Sequence, residues 1–356
     1  MNKLDSLETI KKFDEKGVLS SIKLLPKQAE QAWVEVSKLK LPKSFANTKN
    51  IVVCGMGGSA LGERVIDSFT DKYIRAPMEI FTQYYIPGYV NNDSLVIISS
   101  YSGNTEEALS CAHLALERNA CVFVITTGGK LAELVKNEEL MAYVYDPKHN
   151  PGKQPRLALG YSIFSILALL NKTNFITLPT ERFNDINKCL GKFIDEFGPR
   201  TPEIKNMAKI LANGIQRKIP LIVASEHLSG TAYTFKNQLN ETSKTFSTFF
   251  EIPELNHHLT EGLRFPAKAK EILHFLFLKS ELYSERVLRR YPLTAEVIEK
   301  NSISQDCYVV RSGTKMEQVV EILALGTFVS FYLAVLNNVD PAEIPWVDYF
   351  KKKLSD

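Results

Sequence analysis

Ile51-Val52-Val53-Cys54-Gly55-Met56-Gly57-Gly58-Ser59 and Leu95-Val96-Ile97-Ile98-Ser99-Ser100-Tyr101-Ser102-Gly103-Asn104-Thr105 are built on one plan. Each begins as a short apolar run of the kind that fills a buried parallel strand, and each ends in a turn rich in glycine and hydroxyls. Each then opens an amphipathic helix. Leu61, Val65 and Phe69 share one face of the first, and Ala108, Cys111, Ala112 and Ala115 share one face of the second. Glycine lets a backbone turn tightly and approach a ligand. Serine and threonine hydroxyls add donors beside the free N–H groups of a helix start, where the dipole also favours an anion. Two such loops at the carboxyl ends of neighbouring strands make one pocket for a phosphate.

A dinucleotide site is the rival reading, because Gly55-x-Gly57-x-x-Ala60 fits the glycine fingerprint of such sites. That fingerprint also needs an acid at the end of the next strand to hold the ribose. The next strand-like run, Met78-Glu79-Ile80-Phe81, ends in Thr82-Gln83, and the Gly-Lys-Ser/Thr ending of a P-loop is missing too. No nucleotide cofactor is expected. A pair of purely structural turns would account for one glycine loop, but not for a second so rich in hydroxyls.

Outward from these loops, strand-like runs near 51–54, 78–82, 95–99, 122–126 and 142–145 alternate with helices, which predicts an α/β fold with a doubly wound parallel sheet. Thr126-Thr127-Gly128-Gly129 is a third loop at the same edge. Residues 5 to 40 read as one or two helices closed by Pro42. The stretch 146–155, with three prolines and Gly152, reads as a linker, dividing the chain into domains 1–150 and 151–356. The second half repeats the alternation, with strands at 221–224, 272–278 and 306–310. Its helices fall near 181–197, 202–214, 231–245, 281–299, 316–336 and 342–354. Arg156 sits where the helix from Leu157 to Leu170 begins. The dipole disfavours a cation there, so an anion is expected to offset it.

The 356 residues are long enough for two full cores, and 45% hydrophobic with 23% charged residues is an ordinary globular balance. A net charge of +3 gives no argument for nucleic acid. Five cysteines (54, 111, 121, 189 and 307) lack C-x-x-C spacing and fit a reducing cytoplasm better than a disulfide or zinc framework. The N-terminus lacks the build of a signal peptide. Val319–Leu336 is apolar enough for a membrane span. Glu321 and Gly326 interrupt it, however, and no second span accompanies it, so a buried helix is expected. No His/Asp/Glu set has metal-ligand spacing. His274 reads as core.

The two loops together resemble the phosphosugar-binding signature of sugar isomerase (SIS) domains. Lys236-Asn237, Asn240-Glu241, Pro253-Glu254-Leu255-Asn256-His257-His258 and Glu261-Gly262 resemble one branch of that superfamily, the bifunctional phosphoglucose/phosphomannose isomerases. The resemblance implies two SIS-type domains, each a mostly parallel sheet flanked by helices. It also implies an enzyme of glycolysis and gluconeogenesis that interconverts glucose 6-phosphate and fructose 6-phosphate, and mannose 6-phosphate as well, without metal or cofactor. By the same resemblance Ser59, Ser100, Ser102 and Thr105, with the N–H groups of Gly57 and Gly58, hold the phosphate. Glu241 is the base and Arg156 faces the enediolate. His257 opens the ring from across a homodimer interface, and Lys351 of the terminal helix reaches the sugar. Ile344, before Pro345, replaces a threonine of the family. A branched apolar side chain can neither hydrogen-bond the sugar nor hold a water, so the departure bears on epimer choice rather than on isomerase chemistry. The competing readings are a SIS isomerase for an amino-sugar or pentose phosphate, and a non-catalytic sugar-phosphate sensor, which needs neither Glu241 nor His257.

Overall fold

The computed structural model describes residues 3–70 and 72–355. Two compact units emerge, one formed by Leu24–Lys188 and the other by the chain up to Lys23 together with Cys189 onward.

In the first unit, β1 (Asn50–Gly55), β2 (Met78–Phe81), β3 (Ser94–Ser100), β4 (Cys121–Thr126) and β5 (Met141–Val144) form one sheet in the order β2-β1-β3-β4-β5. All four pairings are parallel, and Gly55 lies opposite Ser99 while Ser100 lies opposite Thr126. Val52, Cys54, Val96, Ile98, Val122 and Val124 form one face, covered by Ala108, Cys111, Ala112 and Ala115 of helix Glu106–Glu117 and by Leu131 of helix Gly129–Asn137. Helices Leu25–Lys38 and Leu61–Thr70 both pack against helix Leu159–Lys172. Leu61 and Val65 are fully buried, worth about 1.5–3 kcal/mol each against exposure. This strand order places a topological switch between β1 and β3, where the connections leave toward opposite edges and a crevice opens.

In the second unit, β6 (Ile219–Ala224), β7 (Thr248–Glu251), β8 (Leu273–Lys279) and β9 (Ser304–Val309) are also all parallel, in the order β7-β6-β8-β9. Helix Lys315–Asn337 starts in a capping box made by Thr314 and Glu317, and it is buried on every side from Gln318 to Leu336. Its apolar character therefore belongs to a protein core. Glu321 within it accepts the Tyr308 hydroxyl at 2.7 Å, Ser312 N–H at 2.8 Å and Ser312 O–H at 2.6 Å, so its charge is matched by donors. Gly326 lets helix Ser229–Ser243 approach closely, since a Cβ there would stand 2.7 Å from the Phe235 ring. Ala232, Phe235 and Leu239 are buried, and so is His274.

Several expectations change. Strand β7 was not expected, because Thr248-Phe249-Phe250-Glu251 is too short to show periodicity. Residues 146–155 are not a loose connection: Asn150 is buried, and its amide donates to the Tyr101 hydroxyl and to Gln154 O at 3.0 Å each. The expected boundary at 150/151 falls inside the first unit, whose last residue is Lys188 in helix Thr180–Glu196. Arg156 lies in a 3-10 turn, Pro155–Leu157, ahead of the helix that starts at Leu159.

Candidate active site

The carboxyl edge of the first sheet gathers Gly57, Gly58, Ser59, Ser100, Ser102, Thr105 and Arg156. Gly57 adopts a φ of +52°, which turns the chain sharply after β1 into the short 3-10 turn Gly57–Ala60. Gly58 allows a close approach, because a Cβ there would lie 2.7 Å from Arg156 N. The two loops are tied together: Tyr101 N–H donates to Ser59 Oγ at 2.9 Å, and Ser99 Oγ donates to Ser59 O at 3.0 Å. The third loop braces them through Thr127, whose N–H and hydroxyl both reach Tyr101 O, at 3.1 and 2.7 Å.

The hydroxyls follow one pattern. Ser59 Oγ accepts from Tyr101 N, Ser100 Oγ from Gly103 N at 3.2 Å, and Ser102 Oγ from Asn104 N at 3.3 Å. A serine oxygen that accepts a backbone N–H still carries its own proton to donate. Ser100 and Thr105 lie 2.8 Å apart, so one of them donates to the other and one O–H is left over. Thr105 is the N-cap of helix Glu106–Glu117 and makes no side-chain cap bond, leaving first-turn N–H groups for another acceptor. Donors therefore converge where an anion is attracted. The crevice behind them, lined by Gly58, Ser59, Ser99, Tyr101, Tyr145 and Ser162 among others, has about 10 Å³. That is room for about one water, so an anion fits only at its rim.

Arg156 is fully buried and its Nη1 donates to Gln154 Oε1 at 3.1 Å. Burial raises the Tyr101 phenol, which stays neutral and accepts from Asn150. Tyr101, Asn150, Gln154 and Tyr145 all shape this edge, and sequence reasoning passed over them. A tyrosine inside a serine loop was the one available signal. For Asn150 and Gln154 there was none, because both lie in the segment read as a linker.

In the second unit, Glu241 is half-buried near the end of helix Ser229–Ser243. His257 is exposed at the end of the 3-10 turn Glu254–His257. Among the described residues its side chain has no hydrogen bond, whereas His258 Nε2 pairs with Glu254 Oε2 at 2.7 Å. Lys351 is exposed on helix Pro345–Ser355. The three stand on separate elements. A cavity of about 540 Å³ borders the His257 segment and is lined by Asn256, Thr260, Glu261, Arg264 and Arg290, among others.

A protein of Caldicellulosiruptor bescii named bifunctional phosphoglucose/phosphomannose isomerase is 31% identical over 345 residues, covering 95% of this chain and 99% of the relative. The chain belongs to the bifunctional phosphoglucose/phosphomannose isomerase family. A member from Thermoplasma acidophilum is 32% identical over 308 residues, covering 86% of this chain and 90% of its own. Residues 204–354 match the family described as bacterial phospho-glucose isomerase C-terminal SIS domain. Two solved structures share the fold. One is a glucose-6-phosphate isomerase like protein of Thermus thermophilus (TM-score 0.61, 16% identity, 99% of each chain). The other is a putative tagatose-6-phosphate ketose/aldose isomerase of Clostridium novyi (TM-score 0.66, 17% identity, 95% of this chain and 93% of that one).

Proposed function

We propose that this protein is an aldose–ketose isomerase that interconverts glucose 6-phosphate and fructose 6-phosphate, and also takes mannose 6-phosphate. The observation that carries the reading is the donor set on the first sheet. Ser59, Ser100 and Ser102 each accept a backbone N–H, while Ser59, Ser102 and the Ser100–Thr105 pair each keep one O–H proton for an anion, at the β1/β3 switch point beside an uncapped helix start. The 6-phosphate binds there, remote from the reacting carbons, so that its binding energy orients them.

The remaining roles follow from the chemistry. His257 of the partner subunit takes the anomeric hydroxyl proton and returns one to the ring oxygen, which opens the ring. Glu241 then removes the proton from C2 of the aldose to give a cis-enediolate and returns it to C1, while the O2 hydroxyl proton passes to O1, which makes the ketose. The Arg156 guanidinium stabilises the negative charge that develops on the enediolate oxygen, and the Lys351 ammonium meets the sugar ring. The assembly is a homodimer working in the cytoplasm.

The test is a coupled assay of purified protein on glucose 6-phosphate and mannose 6-phosphate, with fructose 6-phosphate as common product. Turnover on glucose 6-phosphate is expected. Saturable sugar-phosphate binding with no turnover on any hexose phosphate would replace the enzyme with a sensor.

A further inference from the structure

Under the glycine and serine turns lies a carboxyl group that neither the phosphate grip nor the proton transfer uses. Glu63 stands in the first turn of helix Leu61–Thr70, is fully buried, and has no hydrogen-bond partner on either carboxyl oxygen. A Cβ placed on Gly55 would meet Ser99 O at 2.9 Å, Glu63 Oε1 at 3.2 Å and Ser59 O at 3.4 Å. The carboxyl therefore shares the space below the loop with two carbonyl oxygens. Ionised, it would face acceptors and sit beneath a bound anion. Protonated, its O–H is a donor beside the Ser99 and Ser59 carbonyl oxygens.

We propose that Glu63 is a positioning residue of the phosphate site, held as a neutral acid beneath the Gly55–Ser59 turn, and that the site grips a dianion tightly only while this acid keeps its proton. The proposal rests on the phosphate reading of these loops. Burial pushes the carboxyl up to about 8. The Ser99 hydroxyl and the residue's own N–H lower it in part, but Ser99 Oγ is committed to Ser59 O and neither contact has hydrogen-bond geometry. Arg64 on the same helix also lowers it. From another element the facing group is Cys54 on β1, with Cys111 of the 106–117 helix behind it. A bound dianion penalises the ionised form further, so binding holds the proton on, and affinity falls as pH rises through the free-state value.

Sugar phosphates have their second ionisation near pH 6, so the substrate is a dianion from pH 7 upward; sulfate is a dianion throughout. The experiment measures KM for fructose 6-phosphate and the inhibition constant of sulfate from pH 7 to 9.5. Both should rise about tenfold in the native protein and stay flat in Glu63→Gln. Parallel profiles in the two proteins would overturn the role of Glu63 and leave the phosphate site standing. Should the variant not fold, sulfate titrations of the native protein at pH 8.5 in two buffers of different ionisation enthalpy give the answer. Net proton uptake is expected, and zero uptake would sink the idea. No saturable sulfate or substrate binding at any pH would overturn the phosphate site itself, and this proposal with it.

Discussion

The carboxyl edges of the two sheets start from the same backbone and end with opposite contents. In both, the strand order places a switch point beside the first strand, between β1 and β3 or between β6 and β8. In both, the first strand runs into a left-handed residue, Gly57 at φ +52° or Glu226 at φ +46°. In both, a 3.1 Å bond closes the turn, from Ser59 N to Met56 O or from Leu228 N to Ser225 O. The first edge then leaves hydroxyl protons and a helix start uncommitted. The second fills itself. Tyr283 and Tyr291 both donate to Leu278 O, and the Tyr283 hydroxyl also accepts Ser225 N–H at 3.2 Å. His227 and Ser280 converge on Gln318 Oε1 at 2.7 and 2.6 Å. Ser284, N-cap of helix Glu285–Lys300, donates its N–H to the Glu226 carboxylate at 3.0 Å. An internal anion thus stands at a helix start, the kind of place that the first edge leaves open for a ligand. Topology makes the crevice in both, and side chains decide whether it is a site.

If the second unit contributes chemistry rather than phosphate binding, Glu241→Gln should lower kcat by about 10²–10⁴-fold while substrate affinity changes little. Steady-state kinetics with a binding titration check this, and unchanged turnover would remove Glu241 from the mechanism. A smaller effect separates the two edges directly. Ser102→Ala should weaken fructose 6-phosphate and sulfate together by about tenfold or more, since a hydrogen bond to a charged group is worth about 1.5–3 kcal/mol. Ser280→Ala on the second edge should leave both unchanged, and equal losses would erase the distinction.

Smaller again is a difference in acid response. Counting from the left-handed residue of each turn, the place of Glu63 is taken in the second unit by Ala232. The Glu63 carboxyl is raised in the folded state from 4.5 to about 8. Its neutral form is therefore free of penalty below pH 4.5, and stability is lost progressively as pH rises from there to about 8. Thermal melts should show Glu63→Gln gaining several degrees on the native protein between about pH 5 and about pH 8. A constant gap would mean the acid is not raised. The smallest expected change is at Ile344, half-buried just ahead of the terminal helix. Ile344→Thr should raise the ratio of mannose to glucose activity a few-fold, and an unmoved ratio clears this position of epimer choice.

The order of strands, the two loops and the helices behind them were legible because their signals are local: apolar runs, glycine at a turn, and one buried face per helix. Leu61, Val65 and Phe69, or Ala108, Cys111 and Ala112, could be read off because periodicity alone puts them inside. The same local rules failed for β7, which has no amphipathic period, and for residues 146–155, where prolines imitate a linker. Residues 55–59 and 100–105 therefore declared an anion site from their composition alone. The sequence could not say that Ser59 Oγ takes an N–H from Tyr101, that Glu63 lies unpaired beneath Gly55, or that Glu226 occupies the helix start of the other edge. Each of these depends on a neighbour brought from elsewhere in the chain. A buried polar atom's partner is a property of packed space, which only the tertiary structure decides.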